Sequence, residues 1–188
     1  MSSPSSGERT ISTYDLIVRG AQEAIRIQKE DGSFPPGRNY SYDETSTPVR
    51  TTTQWLRTLT KASDITGEQR FKQAANHTVD FLLSSKYRPE GATYRCREVV
   101  GKDSCNGLVG QASVIRALSD AADSLGRTDA QKLAQEVFQL HPFSHDLGLW
   151  ESVEVDGTYL SFDRTLNHQL LFAGAASRIS GESSIVRE

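Results

Sequence analysis

The stretch NGLVGQASVIRALSDAADSLG, Asn106 to Gly126, decides the fold. It reads as a helix over about 107–125, with Gln111 early in it and Gly126 as its stop. A long connector, 88–106, leads into it, and a further helix over 129–140 follows directly. The same plan stands upstream. A helix begins near Thr47-Pro48, with Thr47 as N-cap and Pro48 in the first turn. It carries Gln54, buries Trp55, Leu56, Leu59 and Ala62, and stops at Gly67. It stands again downstream, where a helix over 164–179 carries Gln169 and stops at Gly181.

The landmarks keep a period. Gln54, Gln111 and Gln169 are spaced 57 and 58 residues apart. Gly32, Gly91 and Gly148 open the long connectors, and each is soon followed by an aromatic, Phe34, Tyr94 or Trp150. Helices over 11–29 and 68–87 supply the remaining amphipathic patterns. A repeat just under sixty residues long fits two helices, a tight turn and a long connector. Short turns make antiparallel neighbours, so the long connectors all emerge at one end. The expectation is an all-α chain of about three repeated helical hairpins forming a partial (α/α) toroid. Residues 1–10 form a disordered leader and 11–181 one domain, with repeats 11–67, 68–126 and 127–181. Residues 182–188 form a tail, too short for the outer helix that the period calls for, so either a second copy or second chain completes the ring, or the chain is an open arc, or the sequence is a fragment.

Composition bounds the rest. Of 188 residues, 36% are hydrophobic and 24% charged, ordinary for a globular domain. The formal net charge of −3 argues against nucleic acid as a partner. No apolar run approaches a membrane span and the leader lacks a signal-peptide core, which points to a cytoplasmic protein. Cys96 and Cys105 read as free thiols, with a loop-closing disulfide as the alternative. No four-ligand set supplies a structural zinc site, and no phosphate-binding glycine loop is present, so neither metal nor cofactor is expected.

Four segments carry a resemblance: 102–111 (KDSCNGLVGQ), 140–143 (LHPF), 148–150 (GLW) and 163–169 (DRTLNHQ). With them, the chain over 28–179 resembles the six-hairpin glycosidase superfamily of α/α toroids. Within it, the likeness is to toroid proteins encoded in glycan-assembly gene clusters, the agl-type N-glycosylation clusters among them. The resemblance implies a carbohydrate substrate or ligand, a site at the connector-bearing end, and hydrolase, lyase or epimerase chemistry on a sugar chain. Two other readings stand beside it: a non-catalytic scaffold or glycan-binding subunit, including a truncated inactive toroid, and a terpenoid or prenyl-transfer toroid. The polar inner helices fit the last poorly.

Sugar chemistry calls for acid–base groups and ring-stacking surfaces. Asp103 and Asp163 each precede an inner helix at equivalent places; either they do chemistry or they cap those helices. His168, one turn into the last helix, is an acid–base candidate or a satisfied core histidine. Arg50, Arg95 and Arg164 could hold a uronic acid or a neighbouring acid. Gln54, Gln111, Asn167 and Gln169 could bind hydroxyls, although repetition at one position also signals packing. Trp150 stacks on a sugar or fills the core. His141, at a helix end before Pro142, reads as a structural cation. Tyr40, Tyr42 and Asp43 add further rings and acid to the first connector.

Overall fold

A computed structural model describes residues 10–39, 44, 45 and 47–179. The leader, the tail, Tyr40, Tyr42, Asp43 and Gly181 lie outside the described residues. Six helices run in order: α1 (Thr13–Ile27), α2 (Pro48–Thr66), α3 (Gln69–Leu83), α4 (Gly107–Leu125), α5 (Thr128–Gln139) and α6 (Leu166–Ala176). A 3-10 turn, Ser85–Tyr87, takes the last residues expected in α3. Two short strands, β1 (Arg38–Asn39) and β2 (Glu44–Thr45), pair antiparallel in the first connector.

The helices form two rows. α2, α4 and α6 pack side by side, and α3 and α5 lean on α2 and α4 from outside, with α1 against α2 and α3. The tight turns explain this. Gly67 and Gly126 sit at φ of 70° and 73°, left-handed backbone that glycine adopts without a Cβ clash, and each N–H returns to the carbonyl four residues back. The chain reverses at once, and apolar stripes of successive helices face each other. Leu56, Leu59, Phe71, Leu82, Leu108, Ile115 and Leu118 are fully buried in one continuous core. Truncating such a leucine to alanine costs about 2–5 kcal/mol.

The three long connectors gather at the opposite end, about 28 Å away for a helix of this length. Contacts between them establish the shared rim. Thr47, closing the first, donates its N–H to the Cys96 carbonyl (3.2 Å) and its hydroxyl to the Arg95 carbonyl (2.7 Å) of the second. Thr47 therefore occupies the cap position of α2 while its side chain serves the neighbouring connector. Thr93 in turn donates to the Val153 carbonyl of the third, at 3.1 Å.

Besides β1 and β2, the all-helical expectation needs a larger correction in that third connector. β3 (Phe143–Ser144), β4 (Leu149–Val153) and β5 (Tyr159–Phe162) form an antiparallel sheet in that order. Asp156-Gly157 supplies the turn between β4 and β5, and Trp150, Ser152 and Val153 are the strand residues buried against the helices. Runs of five and four residues of mixed polarity, β4 and β5, are too short a pattern to stand out from a long connector in the sequence.

Candidate functional site

Each inner helix holds its connector by one polar side chain. Gln111 accepts from the Tyr94 N–H (2.9 Å) and donates to the carbonyls of Tyr94 (2.9 Å) and Cys105 (2.7 Å). Gln169 accepts from the Trp150 N–H (3.0 Å) and donates to the carbonyls of Trp150 (3.0 Å) and Asp163 (2.6 Å). The two are the same device, an amide clamped on the aromatic after the connector glycine and on the residue where the connector ends. In the first repeat Thr52 does part of this work, accepting from the Phe34 N–H at 3.1 Å. Gln54, two residues on, is exposed and reaches Ser113 on α4. A buried amide with its hydrogen bonds met by backbone has little left for a sugar hydroxyl.

The clamped aromatics are buried as a consequence. Trp150 packs among Phe138, Phe143 and Phe172, with ring centroids 4.6–6.4 Å apart. His141 joins that cluster, edge-on to Phe172 at 4.9 Å, its Nδ1 3.0 Å from the Glu151 carbonyl. Burial lowers its pKa to about 4, so it is neutral rather than the helix-end cation expected.

The rim opens into a cleft of about 500 Å³ between the start of α4, β5 and the start of α6. Asp103, Asp163, Arg164 and His168 line it. Asp163 accepts from the Thr165 N–H (2.9 Å), and its other oxygen lies 2.8 Å from Nδ1 of His168. Burial pushes the Asp163 carboxyl up, but the hydrogen bonds from Thr165 and His168 outweigh it and hold it below its ordinary value. An ionised carboxylate only accepts, so Nδ1 is the donor and Nε2 is the ring nitrogen turned away from Asp163. Gly107 starts α4 at φ of 53°, left-handed backbone that favours glycine, and its Cα lies close to the cleft: a Cβ there would touch the Asp163 carboxylate and the Ser152 hydroxyl, both at 3.7 Å.

Asp103 is bound differently. It accepts from the Gly107 N–H (2.9 Å) and pairs with Arg97, while the Cys105 thiol points to it at 3.2 Å. These bonds overcome burial and keep its pKa low. Arg97, which the sequence reading missed, thus offsets its charge. Glu154, also missed, accepts from the N–H groups of Ser104, Cys105 and Val155 at 2.7–3.0 Å. Asp103, Cys105 and Glu154 present ligand atoms within 4.8 Å of one another, yet their hydrogen bonds make them a clamp between the second and third connectors. Nothing near Glu154 in sequence signals this, because its partners lie 49 and 50 residues away.

The other candidates spread out. Arg164 and Asn167 are exposed around the start of α6. Arg95 is half-buried, its backbone held to Tyr87 and Thr47. Arg50 is half-buried in the first turn of α2, where its charge reaches Cys96. A larger concavity of about 760 Å³ includes Gln54, Arg57, Lys61 and Asp120. There Asp120 pairs with Arg57 (3.1 Å) and Arg178 (3.4 Å), and no histidine is among the lining residues, whereas the smaller cleft sets an imidazole beside a carboxylate.

Cellobiose 2-epimerase from Bacillus thermoamylovorans B4167 matches 88% of this chain with a TM-score of 0.68 at 14% identity, using 50% of its own length. D-mannose isomerase matches 95% with a TM-score of 0.66 at 18% identity, using 47% of its length. The chain shares the toroid-type fold of these two structures. In sequence, the chain is 45% identical over 169 residues to Archaeal glycosylation protein Q of Haloferax volcanii, covering 90% of this chain and 46% of that protein. This toroid chain therefore spans about half the length of the proteins it matches. No family model matches it. Among the described residues, no helix is long and apolar enough to cross a membrane.

Proposed function

We propose that this chain belongs to a carbohydrate-processing toroid, with the cleft beside α6 as its sugar site and Asp163–His168 as its acid–base pair. The observation that carries the reading is the 2.8 Å contact between them, which fixes the ring and directs its basic nitrogen away from Asp163. Glycoside hydrolysis uses two available carboxylates. Here Asp103 is committed to Arg97 and the start of α4, leaving one carboxylate and one imidazole. That set favours moving a proton at a carbon beside a sugar carbonyl, as epimerisation and aldose–ketose isomerisation require. Two relatives of this fold, by their names an epimerase and an isomerase, support the same choice. Arg164 at the cleft mouth suits an anionic sugar such as a uronic acid.

The test is to incubate the protein with neutral and uronic aldoses in heavy water and follow deuterium entry beside the carbonyl by NMR. Exchange that disappears in His168→Gln is the expected result; no exchange with any sugar would sink the reading. A glycan-binding scaffold is the second reading, favoured by the neutralised Asp103. It predicts saturable sugar binding at the cleft with no exchange.

A further inference from the structure

Strand β4 turns Trp150 and Ser152 to one face, the face packed on the helices, and the register shift between Ser152 and Val153 ends that alternation. Ser152 is 6% exposed and lines the cleft beside α6. Among the described residues its hydroxyl has no hydrogen-bond partner. A buried serine ordinarily spends its hydroxyl on nearby backbone, and leaving it unmet is costly. Ser152 Oγ and Asp163 Oδ2 both lie 3.7 Å from the place of a Cβ on Gly107, so the two oxygens are within twice that distance of each other. Oδ2 is the oxygen that holds Nδ1 of His168. The Ser152 hydroxyl and the acid–base pair therefore border one opening.

The start of α4 meets the same opening, where Asn106, Gly107 and Val109 line the cleft. Asn106 precedes the helix at φ of 58°, and its side chain makes no capping bond. The first N–H groups of a helix have no acceptor within it. Here the Gly107 N–H goes to Asp103 and the Gly110 N–H to the Asn106 carbonyl. Those of Leu108 and Val109 meet no acceptor among the described residues. The aligned peptide dipoles add positive character at this end.

We infer that the Ser152 hydroxyl, backed by the start of α4, donates to the carbonyl oxygen of an open-chain sugar and holds the oxyanion formed there. This rests on the acid–base reading of Asp163 and His168. In that reaction Nε2 of His168 takes a proton from the carbon beside the carbonyl. The C–H electron pair becomes a C=C bond, and the carbonyl π pair passes to oxygen. The proton returns to either face of the same carbon and restores the carbonyl. Between the two transfers, negative charge grows on an oxygen close to the ionised Asp163. Arg97 is engaged with Asp103, and Arg164 stands exposed at the mouth. Ser152 and the first turn of α4 are donors without acceptors, already in place before the charge forms.

Ser152→Ala tests it in three measurements. Deuterium exchange into the sugar should lose about 10²–10³-fold in kcat, with KM nearly unchanged. Calorimetry should show aldonohydroxamates of the same neutral and uronic sugars, planar mimics of the enediolate, binding the variant at least about tenfold more weakly than the wild type. The urea midpoint should stay or rise, because the lost hydroxyl had no partner. Wild-type rates and hydroxamate affinity in Ser152→Ala overturn this inference and leave the acid–base pair standing. A loss of exchange accompanied by a lower urea midpoint also overturns it, since Ser152 would then serve the fold. A wild type that shows no exchange, yet binds a hydroxamate through Ser152, removes the acid–base reading and keeps the oxyanion site. Neither exchange nor hydroxamate binding overturns both.

Discussion

Nδ1 of His168 donates to the Asp163 carboxylate across 2.8 Å, and the same carboxylate accepts the Thr165 N–H that opens α6. One side chain thus sets both the helix start and the tautomer of the imidazole. Asp163→Asn removes the charge that fixes this tautomer while keeping the size. In the proposed proton transfer, turnover should fall by about 10²–10⁴-fold with little change in helix content. The readout is deuterium exchange into sugar, with circular dichroism beside it. An unchanged rate would remove Asp163 from the chemistry and leave it as a cap.

The paired glutamines should behave as structural clamps. Gln111→Ala leaves the Tyr94 N–H and the carbonyls of Tyr94 and Cys105 without their partner in a fully buried place. The expected loss is about 3 kcal/mol or more. Gln169→Ala should resemble it, and Gln54→Ala should change stability by less than about 0.5 kcal/mol, since that side chain is exposed. Urea denaturation of the three variants decides. Equal effects would mean that Gln54 also holds a connector.

Acid should weaken the fold before the carboxylates titrate. His141 is buried, with a pKa depressed from 6.5 to about 4. Between those values the unfolded chain binds a proton that the folded chain refuses, so stability falls as pH drops from 6.5 to 4. The whole step amounts to about 3 kcal/mol. His141→Gln should flatten this slope, whatever it does to stability at pH 7. Denaturant titrations at pH 7 and pH 4.5 measure it; equal slopes in both proteins would place the effect elsewhere.

The two thiols should resist alkylation. Both are free and buried. Burial drives Cys96 up to about 12, and burial together with Asp103 and Glu154 drives Cys105 up. Neither is a thiolate at pH 8. Iodoacetamide followed by mass spectrometry should find no label on the native chain and two in denaturant. Rapid native labelling would show that the clamp between the second and third connectors opens.

Sequence alone determined the helices and two of their stops, Gly67 and Gly126. These are local matters: an apolar residue every three or four positions, Pro48 at a first turn, Gly67 and Gly126 where the backbone must turn left-handed. The matching starts of α2 and α4 follow from that. Tertiary structure decided what the polar side chains do, because hydrogen bonds depend on partners many residues away. Thr52, not Gln54, took the place equivalent to Gln111 because it faces Phe34 across the helix–connector gap. Trp150 went into the core because its backbone is held by Gln169. Asp103 and Asp163, alike in sequence, were separated by their neighbours, Arg97 for one and His168 for the other.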